Sequence, residues 1–140
     1  MKIDDQTAAL SLHGLTFSMG TSLASLRALS AGDFSRPLIS NGSFETYRLA
    51  DKEAASHLVF KSGILWQVRT SMLTPEDASG EVSERAERFR HAKHEVVLKR
   101  LLGSTELRCA NGSVVELCFD ERSLTSAIVT TFPTPDSPPG

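Results

Sequence analysis

Cysteine, aromatic rings and long apolar runs are all scarce in this chain. Its 140 residues include two cysteines, one tryptophan and one tyrosine. Two cysteines are too few for a disulfide framework and fit a reducing compartment. No apolar run approaches the roughly 20 residues that a membrane-spanning helix needs, and Asp4 and Asp5 stand where a secretion signal would have its apolar core. These absences predict a cytoplasmic protein with no membrane partner.

Positive charge is not in excess either. The net charge is -2 and the sequence pI is near 6.1. Proteins dedicated to nucleic acids are usually basic, and they carry aromatic side chains on which bases stack. The composition therefore predicts no nucleic-acid partner.

The clearest local pattern is a charged helix over residues 83–102. This stretch contains no glycine or proline and is rich in Glu, Arg, Lys, Ala and Leu. Ser83 is suited to cap its start, and Gly103 supplies the left-handed residue that ends it. The helical period predicts one inward stripe and an outward polar side. The inward stripe comprises Val82, Ala86, Phe89, Val96, Val97 and Leu101, and the outward side comprises Glu84, Glu87, His91, Glu95 and Leu98.

A β-hairpin follows at residues 105–119. A two-residue turn at Asn111 and Gly112 would mix apolar and charged side chains on both faces. A three-residue turn ending in a positive-φ Gly112 instead pairs Leu107 with Val115 and separates the two faces. In this register Cys109 faces the core and Cys118 faces away from it, so the sequence predicts no disulfide between them.

A second hairpin is predicted at residues 56–69 with the same bulged turn. Its register pairs Phe60 with Ile64 and Leu58 with Trp66, which places Trp66 in the core and Leu65 on the opposite face. The likeness of the two hairpins indicates either an internal duplication or two uses of a common turn.

The remaining elements complete an α+β pattern. A short strand within residues 8–17, a short helix capped by Thr21 or Ser22, and strands at 42–49 and 124–132 give the order β-α-β-β-β-α-β-β-β. We therefore predict one α+β domain over residues 1–132, with an antiparallel sheet of about six strands and two helices on one face. Residues 133–140 are predicted to be a disordered proline-rich tail.

The first half of the chain is similar to a known unit. The glycine-led segment 14–29, the strand containing Tyr47 and the hairpin 58–68 resemble the α+β unit of small bacterial outer-membrane-assembly lipoproteins and of tandem β-lactamase-inhibitor proteins. The resemblance implies a module that binds proteins through an exposed sheet face and its loops. It implies no catalysis.

Few residues offer chemistry. Glu87, His91 and His94 share one side of the long helix at a spacing that could supply metal ligands or acid-base groups. We interpret this side as solvated, because charge runs usually face water, and we predict no metal and no cofactor. Cys118 lies between Glu116 and Asp120, which would raise its pKa and disfavour a nucleophilic thiolate. We therefore predict no catalytic residue and no enzymatic activity.

A binding surface is the remaining possibility. The uncovered sheet face is predicted to carry mixed polar and apolar groups, as partner surfaces do. Its candidate partner-binding residues are Tyr47, His57, Leu65, Gln67, Arg69, Arg108 and Glu116. We predict a bacterial, non-enzymatic protein-interaction module, such as an inhibitor, an immunity protein or a secretion chaperone.

Two alternatives stay open at this point. The first is an α+β cone that binds a small molecule or acts as an enzyme, with His57 and an acid in a deep pocket. The second is a homodimer formed through the open sheet, with residues 44–49 or 124–132 as the edge strand that pairs across the two-fold axis.

Overall fold

The computed structural model describes residues 1–73, 84–120, 122 and 125–135. Ten strands and two helices lie within these ranges. In chain order they are β1 (Lys2–Ile3), β2 (Leu10–Leu12), β3 (Leu15–Phe17), α1 (Leu23–Leu29), β4 (Ile39–Asn41), β5 (Phe44–Ala50), β6 (Ala54–Lys61), β7 (Ile64–Met72), α2 (Glu84–Leu102), β8 (Glu106–Arg108), β9 (Val114–Asp120) and β10 (Thr125–Thr131).

The protein is α+β, but its strands form two antiparallel sheets rather than one of about six strands. The larger sheet has seven strands in the order β4-β5-β6-β7-β10-β9-β8, and the smaller sheet has the order β1-β2-β3. The predicted single strand within residues 8–17 is in fact the hairpin β2–β3, because His13 and Gly14 adopt φ values of 57° and 74° and turn the chain. Strands β1 and β4 were not predicted, since each is only two or three residues long.

One face of the seven-stranded sheet is covered and the other is open. Helix α2 contacts β7, β9 and β10 on the covered face. The small sheet and α1 add Leu10, Leu12, Phe17, Leu23 and Leu26 to the same buried core. The open face carries the side chains that alternate with the core residues along each strand.

The predicted inward stripe of the long helix is only partly right, since Ala86 is buried and Val97 packs against the core. The buried residues of α2 are Ala86, Arg90, His94 and Leu98, whereas Phe89 and Val96 are 54% and 55% exposed. The helix is rotated from the predicted orientation because its polar side chains bind the end of β7. The proposed cap Ser83 and the residue Val82 lie outside the described residues.

The register predicted for the hairpin at residues 105–119, β8–β9, is confirmed. Leu107 pairs with Val115, the Cys109 N–H donates to the Ser113 carbonyl, and Gly112 has φ 89°. Cys109 packs against the core, and both cysteines are free, as predicted from their positions on opposite faces of the sheet.

The register predicted for the β6–β7 hairpin is wrong. Ser62 adopts φ 51° and forms a two-residue turn with Gly63, so that Lys61 pairs with Ile64 and Phe60 pairs with Leu65. A bulge opposite Val59 and Phe60 then inserts Trp66 as an extra residue. Leu65 is consequently buried in the core, and Trp66 is only half-buried.

The chain beyond β10 remains packed for a short distance. Phe132 donates its N–H to the Trp66 carbonyl and is fully buried, and Thr134 is 6% exposed. Residues 136–140 of the predicted disordered tail lie outside the described residues. Neither described helix is long and apolar enough to cross a membrane.

Two glycines provide a matched test of the hairpin turns. Gly63 and Gly112 both have positive φ, but a Cβ at Gly63 would meet nothing within 4 Å, whereas a Cβ at Gly112 would lie 2.9 Å from Pro133 Cγ. We expect Gly63→Ala to lower the free energy of unfolding by about 1 kcal/mol through backbone strain alone. We expect Gly112→Ala to lower it by more, because the clash adds to the strain. Urea unfolding of both variants measures the difference, and an equal loss in the two would contradict this account.

Candidate functional site

One face of the seven-stranded sheet is left uncovered by the described elements. Of the residues whose side chains it carries, only Val129 is buried. The face is made by Thr46, Arg48, His57, Val59, Gln67, Arg69, Glu106, Arg108, Val114, Glu116, Val129 and Thr131.

A row of three basic groups crosses this face. Arg48, His57 and Arg69 are direct cross-strand neighbours on β5, β6 and β7. Like charges directly opposite one another destabilise a sheet. Partial burial, and then the positive charges of Arg48 and Arg69, lower the pKa of His57. The lowered pKa leaves His57 mostly uncharged at neutral pH, so the positive charge of the row lies on Arg48 and Arg69.

No carboxylate among the described residues forms an ion pair with this row. Arg48 and His57 make no side-chain hydrogen bond or ion pair there, and Arg69 makes only a 3.4 Å hydrogen bond to the neutral amide of Gln67. Several other cations have acidic partners at 2.7–3.2 Å, namely Arg88 with Glu84, Arg90 with Glu87, Lys99 with Glu95 and Arg108 with Glu106. Within the described part of the chain, Arg48 and Arg69 thus lack the kind of acidic partner that these cations have.

An aromatic corner lies on the same face as the basic row, with Thr46, Val59 and Gln67 between the two. The rings of Phe44 and Trp66 meet edge to face with centroids 5.7 Å apart, and the Lys61 ammonium lies 5.9 Å from the Phe44 centroid. Ile39, in register with Thr46 on the adjoining edge strand, is 59% exposed. This corner offers apolar contact area on the same face as Arg48 and Arg69.

The opposite half of the face is acidic. Val129 separates Arg69 from Glu116, and Glu106 lies across from Glu116 on the edge strand β8. Arg108 is paired to Glu106 at 2.7 Å and therefore neutralises part of this half.

The structure separates the predicted contact residues into two groups. His57, Gln67, Arg69, Arg108 and Glu116 lie on the open face. The placement of Tyr47 and Leu65 on that face is wrong, since both are 0% exposed. Tyr47 instead accepts a hydrogen bond from Arg27 and donates one to Glu45 beneath the sheet. A strand's alternation shows which residues share a face but not which face is buried.

The Glu87, His91 and His94 cluster is not solvated as predicted. These side chains converge on Ser126 of β10: His91 Nδ1 and His94 Nδ1 lie 3.0 and 2.9 Å from its Oγ, and Glu87 accepts its N–H at 3.3 Å. His94 Nε2 also accepts the Met72 N–H at 2.9 Å. His94 therefore carries its proton on Nδ1 and donates to Ser126.

That tautomer argues against catalysis at Ser126. A general base must accept the serine proton, but His94 is a donor to this hydroxyl. Ser126 is also 1% exposed. Within the described residues, no group of three His, Cys, Asp or Glu side chains is arranged to hold a metal ion. The cluster instead satisfies polar groups at the junction of α2 with the sheet.

A second polar cluster was missed from the sequence. His13 Nδ1 lies 2.9 Å from Asp51 Oδ2, and His13 Nε2 lies 2.8 Å from Ser56 Oγ. This order matches that of a Ser-His-Asp triad. However, Ser56 is 1% exposed and its Oγ also lies 3.0 Å from Thr70 Oγ1, so a substrate carbonyl has no approach to it. The cluster joins the small sheet to the large one.

Cys118 borders a cavity with a volume of about 560 Å³, which is also lined by Arg69, Asp120 and Arg122. Burial, and then the charge of Glu116, raise the pKa of the Cys118 thiol. This direction agrees with the sequence prediction and disfavours the thiolate.

Helix α2 presents a second exposed surface. Phe89, Ala92, Lys93 and Val96 line an apolar groove of about 310 Å³ on its outer side. This outer helix face is remote in the fold from the open sheet face, because α2 packs on the covered side. It therefore serves as the natural control surface for tests of binding.

Comparison with protein-family models, with curated proteins and with solved structures finds no match to this chain. The resemblance to lipoprotein and inhibitor units therefore stays a prediction.

The buried His94 predicts a pH dependence of stability. Burial, and then the charges of Arg90, His91 and Lys93, lower the pKa of His94 from 6.5 to about 4. His94 binds a proton more readily in the unfolded chain than in the folded protein. The free energy of unfolding therefore falls as the pH drops from the pKa of His94 in the unfolded chain toward its pKa in the folded protein. We expect a loss of up to about 3 kcal/mol between about pH 7 and about pH 4.

Urea unfolding at both pH values, on the native protein and on His94→Gln, measures this loss. Glutamine can keep an acceptor for the Met72 N–H but does not titrate. Carboxyl groups whose pKa is lowered in the folded protein, such as Asp51, also reduce the free energy of unfolding at low pH, but they do so equally in both proteins. A pH-dependent loss that is equal in the two proteins would show that His94 is not its source.

The inaccessibility of Ser56 predicts that it is chemically inert. We expect no labelling of Ser56 by a fluorophosphonate probe, because the probe must reach the same Oγ that a substrate would reach. Intact-mass spectrometry after incubation provides the measurement, with Ser56→Ala as the matched control. A single adduct that forms on the native protein and not on Ser56→Ala would overturn the structural role assigned to this cluster.

Proposed function

We propose that this protein is a non-enzymatic protein-interaction module that binds its partner through the open face of the seven-stranded sheet. Inhibitors, immunity proteins and secretion chaperones are the kinds of protein that act in this way. The bacterial and cytoplasmic setting inferred from the sequence is part of the proposal.

The observation that carries the proposal is a pair of arginines that have no acidic partner among the described residues, on the same face as a half-buried aromatic corner. Arginine and tryptophan are the residues most enriched at the energetic centres of protein interfaces. The backbone of the sheet fixes the spacing of Arg48, Arg69 and Trp66. Complementary charge on a partner would give the two guanidinium groups the ion pairs that the described residues do not supply.

The enzymatic alternative has less support. It requires His57 in a deep pocket with an acid, but His57 lies exposed on the sheet between two arginines. The two histidine clusters hold their serines, Ser56 and Ser126, at 1% exposure. No observation on the described residues favours catalysis over binding.

The edge-strand route to a homodimer is wrong as predicted. Strand β10 pairs with both β7 and β9, and β5 pairs with both β4 and β6, so neither strand is an edge. The edge strands are β4 and β8, and each is three residues long. Strand β8 carries the ion pair of Glu106 with Arg108, and charged side chains on an edge strand disfavour its pairing with another chain. A homodimer remains a prediction without a defined interface.

The test is affinity capture of the tagged protein from its native cell extract, read by mass spectrometry. The face variant is Arg69→Glu with Glu116→Lys. The matched control is Arg85→Glu with Glu84→Lys on the exposed start of α2, which also leaves the net charge unchanged. We expect a stoichiometric partner that is lost with the face variant and kept with the control.

Two results would contradict the proposal. One is a partner that both variants keep, and the other is a partner that only the helix control loses. Circular dichroism and thermal unfolding of each variant establish that the fold is intact, since all four substituted residues lie at the surface or are only partly buried.

A further inference from the structure

We infer that the open face is built for an acidic protein segment, whose carboxylates lie over Arg48, His57 and Arg69 and whose apolar side chain packs against Trp66 and Phe44. This inference rests on the proposed function and adds to it the chemistry of the partner and the half of the face that it occupies.

The geometry of the row supports this assignment. Neighbouring strands lie about 4.8 Å apart, so Arg48 and Arg69, with His57 on the strand between them, place two positive charges about 10 Å apart. Carboxylates on an extended or looped segment match such spacing, and guanidinium groups bind them through two parallel hydrogen bonds. The Arg48 guanidinium makes no ion pair among the described residues, so it is available for such a contact.

The aromatic corner supplies an apolar anchor on the same face as the charges. The Phe44 and Trp66 rings pack edge to face, and an exposed isoleucine, Ile39, lies on the neighbouring strand β4. Apolar anchors flanked by charge are typical of the centre and rim of an interface. A purely anionic ligand would make no use of this corner, whereas a peptide segment with one apolar side chain would use both features.

The charges across the rest of the face decide against two other occupants. A polyphosphate such as nucleic acid would run from the basic row into Glu116 and Glu106, and the chain as a whole is acidic. A second copy of this chain could place Glu116 over Arg69 about a two-fold axis along β10. That arrangement would place β9 over β7 but would leave Phe44 on β5 without an opposing strand, because only two strands lie beyond β10.

The first arm of the test uses defined probes. A synthetic peptide with one leucine flanked by aspartates and glutamates is titrated into isotope-labelled protein and followed by nuclear magnetic resonance. The comparison probes are the same peptide with lysine and arginine in place of the acids, and a thymidine oligonucleotide. We expect only the acidic peptide to shift the amide signals of Arg48, His57 and Arg69, and to bind about tenfold more weakly when salt rises from about 0.05 to about 0.5 M.

His57 provides an independent readout in the same titration. The charged groups beside it in register are Arg48 on β5 and Arg69 on β7, and both oppose its protonation. Bound carboxylates would reverse that field, so we expect the acidic peptide to raise the pKa of the His57 ring. The ring pKa should stay unchanged with the lysine peptide. An acidic peptide that shifts signals elsewhere, or an oligonucleotide that binds more tightly than the peptide, overturns the inference.

The second arm separates this inference from the proposed function. Capture from extract is repeated with Arg48→Glu plus Arg69→Glu on the basic half, and with Glu106→Lys plus Glu116→Lys on the acidic half. Arg85→Glu plus Arg100→Glu on α2 is the control with the same charge change as the basic-half variant. Loss of the partner with the basic-half variant alone supports an acidic partner.

The other outcomes are equally informative. A partner lost only with the acidic-half variant overturns the inference and leaves the proposed function standing. A partner that survives both face variants overturns both. A complex whose mass is that of two copies of this chain, lost with either face variant, replaces the acidic partner with a homodimer.

Discussion

The hydrogen bonds between α2 and the end of β7 determine which face of the seven-stranded sheet is left open. Three side chains of the helix bind two consecutive backbone units: His94 accepts the Met72 N–H, Arg90 donates to the Met72 carbonyl at 2.7 Å, and Lys93 donates to the Leu73 carbonyl at 2.9 Å. Buried backbone groups that lack partners are costly, so these contacts fix the rotation and position of the helix. Because α2 is held on this side, the row of Arg48, His57 and Arg69 stays exposed on the other.

The same contacts explain what the sequence could predict. The helix itself followed from composition and from the glycine that ends it, and the β8–β9 register followed from the separation of apolar and charged faces. Both depend on residues near one another in the chain. The rotation of α2 depends on Met72 and Leu73, about twenty residues away, so the apolar pattern around Phe89 and Val96 favoured the wrong side.

In the candidate site, too, some residues were predicted correctly from local patterns and others were not. His57, Gln67, Arg69, Arg108 and Glu116 were placed correctly because strand alternation fixes their common face. Leu65 and Trp66 were exchanged because a serine, Ser62, adopts a left-handed conformation that is uncommon outside glycine, and because a bulge then shifts the register by one residue. Neither event has a sequence signal that distinguishes it from the three-residue turn at Ala110, Asn111 and Gly112. The triad-like arrangement of His13, Asp51 and Ser56 was missed since it joins separate sheets.

The central claim is that the open sheet face, and not the outer helix face, contacts the partner. Hydroxyl-radical footprinting of the protein in native extract and in buffer tests it most directly, because each surface carries a reactive aromatic side chain. If the partner covers the open sheet face, we expect oxidation of Trp66 to fall severalfold in extract relative to buffer, while oxidation of Phe89 is unchanged. Protection of Phe89 with Trp66 unaffected would contradict it and would place the partner on α2.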